Sequence, residues 1–145
     1  MLKKILMISN HDIWGDLNTF SPMLKILQGL SAAGVHVDFV STEKTKAFDE
    51  ASQKYGEPVE YIAENISINR IRILPPSLLK ALNKKSSVKR VVSKLITEVL
   101  FPARVYNKYK NCKDYDIVYG YEIYGVKVAK KLSLKYGKPL VTRFQ

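Results

Sequence analysis

The opening forty residues constrain the fold more than any other stretch of this 145-residue sequence. Residues 5–8 form a short apolar run with β-branched members, which predicts a buried strand. After a polar loop, Ser21 and Pro22 suit the cap and the first position of a helix. Gly34 lies where a helix end favours a left-handed residue, and a second β-branched run follows it. This strand–loop–helix–strand order predicts the beginning of a doubly wound α/β domain.

The loop after the first predicted strand, residues 10–19, is the first candidate for function. It follows the carboxyl end of a strand, where open α/β sheets bind ligands, and it leads into a helix N-terminus, which favours phosphate. Gly15 lies in this loop, but neither GxGxxG nor GxxxxGK[ST] is present around it. The loop is therefore interpreted either as a phosphate-binding loop or as a plain turn.

The longest helical stretch begins at Ser86 or Ser87 and should end or kink at Pro102, because proline lacks the N–H that the helix needs. Its other residues follow a helical period. One face carries six apolar side chains, namely Val88, Val91, Val92, Leu95, Val99 and Leu100.

Alternating strands and helices make up the rest of the chain. Further strands are predicted over 66–73, 114–121 and 139–144, and further helices over 103–111 and 124–136, the last closed by Gly137. The predicted fold is α/β, a single Rossmann-like domain over residues 1–145. It has a doubly wound, mostly parallel sheet of roughly five to seven strands between flanking helices.

The positive charge of the chain is unevenly distributed. The formal net charge is +11, yet residues 1–79 carry eight basic and nine acidic side chains. Residues 80–113 carry ten basic side chains and only one acidic side chain, Glu98. This basic segment is interpreted either as a surface for an anionic membrane or as a solvated helix face. Nucleic acid is a disfavoured partner, because the tyrosines fall mostly in predicted strands and core faces and form no stacking platform.

Cysteine content and hydropathy indicate in which cellular compartment the protein is expected. Cys112 is the single cysteine, which excludes an internal disulfide and suits a reducing environment. No apolar run approaches the roughly 18 residues of a spanning helix. The prediction is a cytoplasmic protein that is either soluble or peripheral at the inner face of the membrane.

Three predicted strand ends meet if the sheet is parallel: residues 9–15, residues 120–124 and Gln145. Together with the residue just beyond Gly15, they supply a polar cleft, which contains His11, Asp12, Asp16, Tyr121, Glu122 and Tyr124. Neither metal-ligand spacing nor a Ser-His-Asp order is present, so no metal is expected. His11 is either a ligand contact or a residue that stabilises its loop.

Several stretches resemble the N-terminal half of GT-B glycosyltransferases of family 4. They are KKILMISN, the glycine-bearing loop, SPMLKILQGLSAAGVHVDFVST, and above all YDIVYGYEIYGVKVAKKLSLKYGKPLVTRFQ. The family pattern has a strand end "DIVHxHE", a helix ending "KxGxP" and a strand "VxTxHG". The resemblance covers the whole chain and is most specific over residues 115–145.

The resemblance implies a role for each matching residue. Gly15 and Asp16 would lie in the loop that approaches the diphosphate of a nucleotide-sugar. Tyr121 matches the second histidine of "DIVHxHE" and Glu122 its glutamate, which makes these two the candidate catalytic residues. Gln145 matches the histidine of "VxTxHG" and would line the acceptor side of the substrate cleft. His11 and Tyr124 are candidate substrate-binding residues because of their place in the predicted polar cleft, not because they match a family motif.

The resemblance also implies the activity. The chain is expected to be the acceptor-side N-terminal domain of a retaining glycosyltransferase, which transfers a sugar from a nucleotide-sugar to a glycan or lipid-linked acceptor without a cofactor. The donor-binding C-terminal domain is absent from the sequence, so the chain is expected to be inactive alone. The alternative is a non-catalytic Rossmann-like module that binds phosphate or nucleotide.

Overall fold

The computed structural model describes residues 4–10, 22–42, 63–71, 73 and 86–144. In this part of the chain, five strands form one parallel sheet in the order β3-β2-β1-β4-β5. The elements are β1 (Lys4–Ser9), α1 (Pro22–Ala32), β2 (His36–Thr42), β3 (Ile66–Ile71), α2 (Ser86–Leu95), a π-helical turn (Ile96–Leu100), α3 (Phe101–Tyr109), β4 (Ile117–Tyr121), α4 (Glu122–Tyr136) and β5 (Leu140–Arg143).

The two faces of the sheet each bury a separate core. Ile5 and Met7 of β1 pack with Met23 and Leu27 of α1 on one face. On the other face, where α3 and α4 lie, a second cluster contains Leu6, Ile8, Phe101, Val105, Val128 and Leu132. Successive residues of β1 point to opposite faces, and a strand covered on both sides reads as an uninterrupted apolar run. The predicted doubly wound, Rossmann-like α/β fold is confirmed.

Glycines end two of the helices, as predicted. Gly34 has a φ of 74° and Gly137 a φ of 65°, both left-handed conformations that glycine adopts without steric cost. The N–H of Gly34 donates to the carbonyl of Ser31 at 2.9 Å, which satisfies an orphan acceptor of α1. Asn65 adds to this end, because its side-chain amide donates to the carbonyls of Ser31 and Val35 at 3.1 and 2.9 Å.

Pro102 does not end the long helix. The hydrogen-bond pattern of the helix already changes before the proline. The N–H of Phe101 donates to the carbonyl of Ile96, five residues back, so the chain widens into a π turn just before the proline. Pro102 then occupies the first turn of α3, where its missing N–H costs least. Such a π turn is one of the known ways by which a helix absorbs an interruption of its hydrogen-bond ladder.

The structure divides the apolar face that the sequence predicted on this helix. Ile96 and Leu100 pack against the core, and Val92 is half-buried. Four other apolar side chains are exposed along the same helix, namely Val88, Val91, Leu95 and Val99. We call these four residues the apolar stripe.

A polar cluster joins the strands near the amino edge of the sheet. The buried Tyr115 hydroxyl donates to Asp38 Oδ2 at 2.6 Å, and Lys4 Nζ lies 3.1 Å from the same oxygen. Burial alone would raise the pKa of the Asp38 carboxyl, but hydrogen bonds from Tyr115, Lys4 and Ser67 outweigh it and the pKa falls below its ordinary value. The cluster therefore favours the charged carboxylate in the folded state.

Tyr115→Phe is expected to lower the free energy of unfolding at neutral pH by about 1.5 kcal/mol, because Asp38 loses a charge-assisted hydrogen bond. Since the pKa of Asp38 is depressed by folding, its contribution is present above the unfolded pKa and is lost as pH falls through the folded pKa. The deficit of Tyr115→Phe should therefore shrink in acid. Urea unfolding from pH 7 down to pH ~2 measures it. An Asp38→Asn background is the control, and an equal deficit in that background would contradict the assignment.

Candidate functional site

The carboxyl edge of the sheet contains its topological switch point, between β1 and β4. The chain leaves β1 for β2 on one side, whereas β4 continues to β5 on the other, and open α/β sheets bind their ligands outside the carboxyl ends of two such strands. Ser9, Tyr121 and Arg143 lie in register across β1, β4 and β5. Ser9 and Asn10 are both buried at this edge. The predicted meeting of strand ends is thus observed for residues 9 and 121.

Glu122 has the most unusual backbone at this edge. Its φ is 58°, and among the described residues it is the one non-glycine with a positive φ. Tyr121 before it is still extended, and Glu122 is the first residue of α4. A non-glycine residue in the left-handed region costs about 1–3 kcal/mol and persists only where its surroundings enforce it. Because such outliers cluster at functional sites, Glu122 is a candidate functional residue.

Two glycines enforce the turn that holds Glu122. A Cβ on Gly125 would lie 2.4 Å from the carbonyl oxygen of Ile8, so the first turn of α4 rests directly on the backbone of β1. A Cβ on Gly120 would lie 2.6 Å from the Cα of Val126. Both distances are far below ordinary contact, so neither position accepts a side chain without a shift of backbone. Glu122 is therefore placed by close helix–strand packing on both sides.

Tyr121 combines burial with two neighbouring charges of opposite sign. The pKa of its hydroxyl is raised, first by burial and then by the charge of Glu122, while Arg143 acts in the opposite direction. The phenol is therefore protonated near neutral pH and acts as a hydrogen-bond donor rather than as a base. The exposed Arg143 places a permanent positive charge at the end of the neighbouring strand.

Tyr124 is directed to a different part of the domain. Its hydroxyl donates to Glu98 Oε1 at 3.0 Å, on the π turn. Lys127 Nζ lies 5.4 Å from the centroid of its ring. The structure thus places Tyr121 and Glu122 at the carboxyl edge of the sheet and the Tyr124 hydroxyl on the π turn. The role of Tyr124 in substrate binding stays a prediction.

The other predicted site residues, His11, Gly15, Asp16 and Gln145, lie outside the described residues. Their roles, and that of the loop over residues 10–19, stay predictions. Within the described ranges, no group of three His, Cys, Asp or Glu side chains is arranged to hold a metal ion.

Sequence reasoning missed Arg143 as a site residue. Its only signal was position, because it lies at the end of the last predicted strand, two residues before Gln145. Its register with Tyr121 requires the strand order β1-β4-β5, which no local pattern encodes. The strained φ of Glu122 had no sequence signal beyond the flanking glycines of GYEIYG.

Neither a protein-family model nor a curated protein matches the sequence. None of the described helices is both long and apolar enough to cross a membrane.

Proposed function

We propose that this chain is the acceptor-side N-terminal domain of a retaining GT-B glycosyltransferase of family 4, with Glu122 and Tyr121 as its catalytic residues. The observation that carries the proposal is the strained Glu122 at the switch point of a Rossmann-like sheet, held there by Gly125 against β1. Residues 115–145 resemble family 4 most closely. In the family pattern, the strand end "DIVHxHE" places its last histidine and glutamate at Tyr121 and Glu122.

The three side chains at the edge fit the charges of glycosyl transfer. A sugar that leaves its donor develops positive charge, as in glycoside hydrolysis, while the departing diphosphate gains negative charge. The Glu122 carboxylate would stabilise the sugar or accept the proton of the acceptor hydroxyl. The protonated Tyr121 hydroxyl would donate a hydrogen bond, and the Arg143 guanidinium would pair with phosphate oxygens.

The proposal includes a second, donor-binding domain. Transfer requires the donor and acceptor to be held together in one cleft from which water is excluded, because positioning supplies much of the acceleration. The carboxyl ends of β1 and β4 would supply one wall of such a cleft. The substrates would be a nucleotide-sugar and a glycan or lipid-linked acceptor.

A module that only binds phosphate or nucleotide is the second candidate, favoured by the exposed Arg143 at the carboxyl edge. Glu122 argues against it. A module that only binds phosphate has no use for a carboxylate that is held there at the cost of backbone strain.

A transfer assay tests the proposal. The longest protein translated from the reading frame that contains this chain is incubated with a panel of nucleotide-sugars and with glycan or lipid-linked acceptors. Mass spectrometry follows the glycosylated product. We expect Arg143→Gln to raise the donor KM roughly tenfold or more, because it removes a charge-assisted contact to phosphate. Arg104→Gln, on the exposed side of α3, is the control and should change nothing.

The outcomes separate the two candidates. Product formation that depends on the donor supports the glycosyltransferase. If nucleotide binds but no sugar is transferred from any donor, the phosphate-binding module replaces it.

A further inference from the structure

The part of the chain after residue 86 combines exposed apolar side chains with a large excess of positive charge. Val91 is 69% exposed, Leu95 49% and Val99 53%, at the helical spacing of one line along α2 and the π turn. Large apolar side chains exposed in a row are uncommon on a soluble surface and mark a contact surface. Because the side chains that pack inward are Ile96 and Leu100, the apolar stripe is not needed for the core.

The apolar stripe continues into an open groove between two helices. The groove has a volume of about 830 Å3 and is bordered by Val99, Pro102 and Ala103 on one wall and by Lys127, Lys131 and Leu134 on the other. Val99 belongs to both features, so the apolar surface is continuous from α2 to α4. Leu134, at the far wall, is 74% exposed. We call the stripe and the groove together the helical surface.

Lysines and arginines surround the helical surface. Residues 86–144 contain thirteen Lys and Arg against four Asp and Glu. Arg90 and Lys94 are exposed on α2, and Lys127, Lys130 and Lys131 are exposed on α4. Among the described residues, Glu98 is the acidic side chain on the lining of the groove; it accepts a hydrogen bond from Tyr124 and lies 4.0 Å from Lys94. The three lysines on the same lining outnumber it.

We propose that the helical surface docks on a bilayer that contains anionic phospholipid. The apolar stripe enters the boundary between headgroups and acyl chains, and the lysines contact the lipid phosphates. This combination matches the interfacial helices that lie in the membrane plane, with an apolar line on one side and cations beside it. Nucleic acid would match the cations but leaves the valines and leucines exposed to water. The proposal does not depend on the proposed transfer activity.

Vesicle co-sedimentation of the purified 145-residue chain tests the proposal. Vesicles are made of phosphatidylcholine alone or of an equimolar mixture with phosphatidylglycerol. We expect binding to the anionic vesicles at low salt and at least a tenfold weaker partition on neutral vesicles or at ~0.5 M NaCl, because both conditions remove the electrostatic attraction. Equal binding to both lipids, or no binding at low salt, would overturn the proposal.

Substitutions separate the apolar and the charged contributions. The double change Val91→Gln with Leu95→Gln should weaken partition at least about tenfold, since two side chains no longer enter the interface. Lys131→Gln should weaken it about fivefold. Val141→Gln on β5 and Lys25→Gln on α1 are the matched controls and should change partition less than about twofold. Circular dichroism checks that each variant is folded.

If the double variant Val91→Gln with Leu95→Gln is misfolded, the comparison of Lys131→Gln with Lys25→Gln still tests the membrane proposal. Equal effects of these two substitutions on vesicle binding would refute a localised surface.

A further experiment uses duplex DNA as a competitor of the vesicles. Should DNA displace the vesicles while Val91→Gln with Leu95→Gln leaves DNA binding unchanged, the surface is a polyanion site and the membrane proposal is wrong.

Discussion

Gly125→Ala is expected to lower the free energy of unfolding by about 2–3 kcal/mol, near the upper end of what overpacking costs. The added methyl would lie 2.4 Å from the carbonyl oxygen of Ile8, and that oxygen belongs to the central strand of the sheet. A flexible side chain could rotate away from such a contact, but a β1 backbone atom cannot move without shifting its neighbours. The whole first turn of α4 must therefore lift, which exposes core side chains such as Val128 and Ala129.

Gly29→Ala is the matched control for this substitution. Gly29 lies inside α1, and a Cβ there meets nothing within 4 Å. The same chemical change should therefore raise the free energy of unfolding by roughly 0.5–1 kcal/mol, since alanine is the better helix former. Urea unfolding of the two variants measures both effects. Equal stability of Gly125→Ala and the unsubstituted chain would show that α4 does not rest on β1 as described.

For the proposed sugar transfer, Glu122→Gln is expected to reduce the rate about 100-fold or more, the usual contribution of a positioned acid or base. The amide keeps the size of the side chain and removes only its charge, so folding should be preserved. Glu64→Gln, an exposed carboxylate in the turn before β3, is the control and should leave the rate unchanged. A Glu122→Gln variant with full activity would remove Glu122 from the catalytic machinery.

Two further substitutions measure the strain at the same position. Glu122→Gly and Glu122→Ala both delete the carboxylate, but alanine retains the steric cost of a φ near 58° and glycine does not. We therefore expect Glu122→Gly to be about 1–2 kcal/mol more stable than Glu122→Ala, while both lack transfer activity. The opposite order of stability, which is the normal order inside a helix, would mean that the turn relaxes and that the strain is absent.

The features that the sequence predicted correctly depend on residues that are close together in the chain. The α/β class, the limits of α1 and the left-handed ends at Gly34 and Gly137 follow from short-range rules of periodicity and capping. The apolar run in β1 also follows, because a strand covered on both faces needs no alternation. The predicted interruption near Pro102 is correct in position, although the chain accommodates it with a π turn before the proline rather than with a helix end.

Tertiary structure decided what depends on contacts between distant residues. Strand order sets Tyr121 between Ser9 and Arg143, and this order comes from the packing of whole crossovers rather than from any one segment. The helical period indicated an apolar face on α2 but could not tell which of its side chains meet the core, since that depends on where the helix docks. The left-handed Glu122 runs against its own local preference, and the close packing at Gly120 and Gly125 holds it there.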